Sequence, residues 1–183
     1  DKSVRGRNAE HIAAFKELWY GEYDSKASAI VHNIIRGTST VPKGLKELAA
    51  HHTKNGKPIL DDPRFRDRLT RVEVELMALE ITNLRFLDQM RRSGKPPGAD
   101  VSMLKIKGTE IQQALTELMM EAVGPYALPY LPAAWGDHWL GERVGPEYAA
   151  PLASRYFNYR KVSIYGGSNE IQRNIIAQHI LGL

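Results

Sequence analysis

From Asp62-Pro63 to about Arg92, apolar residues fall at Leu69, Val72, Leu76, Leu79, Phe86 and Met90. Steps of three, four and seven place them on one stripe of a helix. Asp62 suits an N-cap and Pro63 the first helical position, and Ser93-Gly94-Lys95-Pro96-Pro97-Gly98 forces a stop. A helix of this length with a one-sided stripe needs a partner to cover it, which constrains the fold more than any other feature. The partner is close in sequence. A second helical pattern runs from about Asp100 or Val101 to Val123, with Leu104, Gly108, Ile111, Leu115, Leu118 and Ala122 on its stripe. Gly108 costs about 1 kcal/mol of helix propensity there and permits close packing. The short connection predicts an antiparallel pair within a bundle.

The flanking segments extend the helical pattern. Ala9–Tyr20 and Lys26–Arg36 read as helical, and Leu45–His52 as a short helix or turn, interrupted at Gly21, Gly37-Thr38-Ser39-Thr40 and Pro42. They form one long broken helix or three short ones. Asn55-Gly56-Lys57-Pro58 reads as a loop. Between 124 and 151, prolines at 125, 129, 132, 146 and 151 and glycines at 124, 136, 141 and 145 exclude a continuous helix. Tyr126, Tyr130, Trp135, Trp139 and Tyr148 are interleaved with them, as in a segment that packs on its own domain or a neighbouring subunit, with direct ligand contact as the alternative. Leu152–Val162 is a short helix, and another follows Ser168. The expected fold is all-α, an up-down bundle of four or five helices with a proline- and aromatic-rich loop before the last two.

Composition narrows the function classes. The 183 residues contain no cysteine, which excludes disulfides and thiolate metal sites and favours a reducing, cytoplasmic setting. The net charge of +4 is spread along the chain in both signs, an argument against dedicated nucleic-acid binding. No apolar run reaches transmembrane length. His51-His52 lacks a second cluster at metal-ligand spacing and reads as a surface pair, so no metal site is expected. Arg91-Arg92 and Lys105–Lys107 read as solvated helix faces.

The end of the chain carries the chemistry. In Tyr165-Gly166-Gly167-Ser168-Asn169-Glu170-Ile171-Gln172-Arg173, two glycines allow a sharp turn and close backbone approach. Ser168 suits an N-cap, and Glu170 suits the positive end of the helix that follows. The free N–H groups of such a start can bind a phosphate or another electron-rich group. A plain glycine turn with a capped helix has the same pattern.

This stretch closely resembles the C-terminal signature of the acyl-CoA dehydrogenases, Tyr-(Glu or Gly)-Gly-(Thr or Ser)-x-(Glu or Gln)-Ile-Gln-Arg, and Asn174-Ile175-Ile176-Ala177 continues the likeness. Leu60-Asp61-Asp62-Pro63, Gly94-Lys95-Pro96-Pro97 and Ser102-Met103-Leu104-Lys105 resemble a bacterial branch of the same family. The resemblance divides the chain into an N-terminal helical segment, 1–57, and a family-like bundle, 58–183, within one domain overall. It implies FAD as cofactor, an acyl-CoA substrate oxidised to the 2,3-enoyl-CoA, an electron-transfer partner that reoxidises the flavin, and a homo- or hetero-oligomer built through the bundle. It also implies cofactor-binding roles for Gly167, whose backbone would line the site, for Ser168 against the flavin and its phosphates, and for Glu170 on the adenine half.

The departures matter as much. Where many relatives place the glutamate base, this chain has Gly166. Glu22, with Asp24 as second choice, is the catalytic residue that the resemblance offers instead, although both also read as solvated surface charges. The family's Gln-x-x-Gly-Gly flavin segment falls on Glu121-Ala122-Val123-Gly124-Pro125, and its Arg-Phe-Gly segment has no counterpart near Lys54–Pro58. The family's N-terminal helical and middle β-domains have no counterpart either, so the chain looks like a C-terminal fragment, an excised domain or one piece of a split assembly. Two functions are therefore expected as alternatives: the C-terminal portion of an acyl-CoA dehydrogenase, or a non-catalytic helical module that completes a flavoenzyme complex.

Overall fold

Asp62 starts the longest element. Its side chain accepts a hydrogen bond from the Arg64 N–H at 2.9 Å, and Pro63 occupies the first helical position. The helix then runs unbroken through Pro63–Ser93 until Gly94, at φ 63°, turns the chain and donates its N–H to the Met90 carbonyl. A computed structural model describes residues 38, 41–96, 98–131, 141, 142 and 144–183. Among these, five α-helices follow in order: α1 Val41–His51, α2 Pro63–Ser93, α3 Ser102–Val123, α4 Leu152–Tyr159 and α5 Asn169–Ile176. The fold is the expected all-α bundle.

Helices α2 and α3 are antiparallel. Arg68, near the start of α2, pairs with Glu121 and lies 3.6 Å from Glu117, both near the end of α3. Of the predicted α2 stripe, Leu69, Val72, Leu76, Leu79 and Met90 are buried and Phe86 is half-buried, with Phe65 added at the N-terminal end. Every residue of the predicted α3 stripe is buried. So are Lys105, Ile106, Thr109, Thr116 and Val123, because α1, α2, α4 and α5 all pack on α3. A helix surrounded in this way buries more than one stripe. Leu45 and Ala49 of α1 join Phe65, Leu69, Ile111 and Leu118 in one core, so the helix before residue 58 shares the interior with those after it.

The Asn55-Gly56 segment, expected as a loop, is a two-residue hairpin turn. Thr53–Lys54 (β1) pairs antiparallel with Lys57–Pro58 (β2), and both central residues take positive φ, 55° and 74°. Asn-Gly favours this turn because its backbone matches the twist of the paired strands. After α3, a 3-10 turn over Gly124–Ala127 brings Ala127 against Val123, Ala149 and Leu152 in a second small cluster. The His52 ring nitrogen Nε2 lies 2.7 Å from the Tyr148 hydroxyl, tying the described part of the proline-rich region back to α1. Trp135 and Trp139, the predicted helices at Ala9–Tyr20 and Lys26–Arg36, and Glu22 and Asp24 lie outside the described residues.

Candidate functional site

Helix α4 continues into a 3-10 turn, Arg160–Ser163, and the chain then reverses before α5. Arg160 fixes the approach: its guanidinium donates to the Gln113 carbonyl at 2.8 Å, to Thr116 Oγ1 at 2.9 Å and to Glu117 at 3.0 Å, all on α3. The reversal needs two successive left-handed residues, Gly166 at φ 64° and Gly167 at φ 87°. A Cβ on Gly167 would lie 2.8 Å from the Gln172 side-chain nitrogen. That nitrogen donates to the Gly166 carbonyl at 2.9 Å and so closes the turn from the α5 side.

The Ser168 hydroxyl accepts the Ile171 N–H at 3.4 Å, making it the N-cap of α5. Glu170 is exposed beside it. Its own backbone N–H, then the Ser168 hydroxyl, hold its carboxyl below the usual glutamate range, with Arg173 contributing less. Gly167, Ser168 and Glu170 therefore stand together at one helix start. Tyr165, Gly166 and Gly167 are exposed as well, and Ile164 and Ile171 add apolar surface around them.

Beneath the turn lies a cluster that the sequence pattern did not disclose. Lys105, expected on a solvated face, is only 5% exposed; Lys107 does face solvent, where it pairs with Glu110 at 3.0 Å. The Lys105 ammonium donates to the Ser163 carbonyl at 2.7 Å and to Asn169 Oδ1 at 2.8 Å. Asn169, itself buried at the first position of α5, donates through Nδ2 to Thr109 Oγ1 at 3.2 Å, and Thr109 in turn donates to the Ile106 carbonyl at 2.9 Å. Burial pushes the Lys105 pKa down, and the nearby Glu170 charge opposes that only in part. The one local signal was the spacing of Lys105 and Thr109 by four, which sets both on one flank of the α3 stripe.

The two segments without a family-like pattern have structural duties. Glu121 is taken up by Arg68, and Gly124, at φ 56°, leads out of α3. Lys54 sits in the hairpin and pairs with Asp62 at 3.3 Å. His51 and His52 form no metal cluster, and no group of three or more metal-ligating side chains occurs among the described residues. Nor is any helix among them long and apolar enough to cross a membrane.

An exposed, left-handed turn with an apolar rim thus leads into a capped helix, where the Glu170 N–H meets its own carboxyl and the Ile171 N–H meets the Ser168 hydroxyl.

Comparison with known proteins identifies the family and the fold. The model of the family "Acyl-CoA dehydrogenase, C-terminal domain" matches residues 32–181, beginning well before residue 58. The acyl-CoA dehydrogenase IpdE1 of Mycobacterium tuberculosis is 35% identical over 123 residues, 67% of this chain and 28% of that protein. IpdE1 of Mycolicibacterium smegmatis is 28% identical over 186 residues, 92% of this chain and 42% of that protein. The chain thus spans less than half the length of the curated relatives it matches. Among solved structures, the ChsE4-ChsE5 complex from Mycobacterium tuberculosis superposes with a TM-score of 0.60 at 25% identity, over 82% of this chain and 35% of that one. PigA with FAD and proline superposes with a TM-score of 0.66 at 19% identity, over 86% and 36%, a likeness of fold.

Proposed function

Since the chain belongs to the acyl-CoA dehydrogenase family and matches its C-terminal domain, we propose that it forms the C-terminal helical portion of an FAD-dependent enzyme that oxidises an acyl-CoA thioester to the 2,3-enoyl-CoA. The observation that carries the proposal is the open turn at Gly166–Ser168, held by Gln172 above and Lys105 below, at the start of α5. Bound there, FAD would accept the hydride removed from the acyl chain. The chain's own residues bind and orient. The Gly167 main chain would line the site, Ser168 would lie against the flavin and its phosphates, and Glu170 would help hold the adenine half.

Gly166 has no side chain to take a proton, so the base must come from elsewhere, and Glu22 is the residue proposed for it. The remaining walls would come from protein beyond this bundle or from a second chain, in a cytoplasmic assembly that passes electrons to a separate acceptor. The test is the visible spectrum of the purified chain, alone and with the protein that completes it. Flavin bands that bleach on adding an acyl-CoA support the proposal. A colourless assembly that takes up no added FAD would sink it.

A second reading is favoured by the outer face of α2. Val74, Met77, Ile81 and Leu84 follow steps of three and four on the side away from the core, each between 50% and 58% exposed. An apolar stripe of this kind marks a surface that another protein covers. On that reading the chain is a non-catalytic assembly module, and it forms the same complex after its flavin-facing turn is destroyed.

A further inference from the structure

Among the described residues, Lys105 is the one charged side chain that the bundle buries. Desolvating an ammonium is costly, and the cost is offset only where its donors are matched. No carboxylate among the described residues pairs with it, and its acceptors are the Ser163 carbonyl and Asn169 Oδ1. These acceptors bracket the Gly166-Gly167 turn, one on the chain entering it and the other on the first residue of α5. The glycines have no side chains with which to anchor themselves, so the geometry of the turn has to be imposed at its ends.

We infer that Lys105 is a positioning residue whose ammonium, through Ser163 and Asn169, presets the main chain at Gly166–Ser168 for flavin capture. The inference rests on the flavin reading above and adds the residue that shapes the site from behind. Thr109 completes the device: by receiving the Asn169 amide it orients Oδ1 toward the ammonium. Lys105 itself stays beneath the turn and acts only through it.

The test compares Lys105→Met with Asn169→Ala in the full chain together with its completing protein. Two measurements are made: amide hydrogen exchange in the absence of flavin, and FAD affinity by fluorescence quenching. Lys105→Met keeps most of the side-chain length while removing the charged donor. Hydrogen bonds to a charged group are worth enough to change an equilibrium by about 10- to 100-fold, so exchange of the Ile171 and Gln172 amides, both hydrogen-bonded to Ser168, should quicken by about that factor. Amides in the middle of α2 and α3 should stay protected. The FAD Kd should rise by about 10-fold or more in either variant, and the double variant should be little worse than the single ones because the two residues share one interaction.

Unchanged exchange at Ile171 and Gln172, or exchange that quickens uniformly through the bundle, overturns the inference. Asn169→Ala serves as the second variant because it breaks the link from the turn side and leaves the ammonium the Ser163 carbonyl as acceptor. If the unaltered protein takes up no FAD, the flavin reading fails, and the exchange comparison alone then decides whether Lys105 holds the turn.

Discussion

Replacing Gly167 with alanine tests the turn most directly, because two separate costs can be read from its geometry. The first is conformational. At φ 87°, Gly167 lies in the left-handed region, where an L-side chain costs about 1–2 kcal/mol. The second is steric. The new Cβ would lie 2.8 Å from the Gln172 side-chain nitrogen, too near to coexist with the 2.9 Å hydrogen bond from that nitrogen to the Gly166 carbonyl. The glutamine end is flexible and will swing away, so the loss is that bond, about 1 kcal/mol. Together the costs come to about 2–3 kcal/mol. Gly56→Ala is the matched control, since Gly56 has φ 74° and nothing within 4 Å of an added Cβ, leaving the conformational cost alone. Urea unfolding of Gly167→Ala, Gln172→Ala and the double variant separates the two costs. In the Gln172→Ala background, the penalty of Gly167→Ala should fall by about 1 kcal/mol. An equal penalty in both backgrounds, or a Gly167→Ala protein within 0.5 kcal/mol of the unaltered one, which is about the limit for a neutral surface change, would refute this account of the turn.

Other perturbations probe the frame around the turn. Leu118→Ala, at a site 1% exposed in the main core, should lower stability by about 2–5 kcal/mol in denaturant titration, whereas Val74→Ala on the outer face of α2 should change it by about 0.5 kcal/mol or less. Arg160→Ala should cost about 2 kcal/mol, because it strips the hydrogen bonds that dock the approach to the turn on α3; Arg160→Lys should restore only part of that, since an ammonium cannot serve the same fork. The Asp62 carboxyl is held below its ordinary value of 3.8, chiefly by the Arg64 N–H. Its contribution is therefore present above 3.8 and lost as pH falls through the lower folded value, and Asp62→Asn should flatten the acid limb of the stability curve. Lys105 works in the opposite range. With its folded pKa below 10.5, the unfolded chain binds more protons between the two values, so stability rises with pH across that window; thermal unfolding of Lys105→Met should lack that rise.

The amino-acid sequence alone determined the elements whose causes are local. Asp62-Pro63 and Gly94 bound α2 because a cap, a fixed φ and a left-handed residue act within a few positions. The stripes of α2 and α3 were legible because helical period reports burial directly, and Ser168 was legible as a cap for the same local reason. The Asn55-Gly56 hairpin is also written there, in a dipeptide whose turn type is specific. Tertiary structure decided what period cannot carry. α3 is packed on several sides, so Lys105, expected like Lys107 on a solvated face, is interior. Its partners lie 58 and 64 positions away, and no local rule pairs a lysine with a carbonyl and an asparagine at such separation. A burial pattern names the face a residue occupies. Only the docking of α4 and α5 on α3 determines what that face meets, and there it set a buried ammonium beneath two glycines.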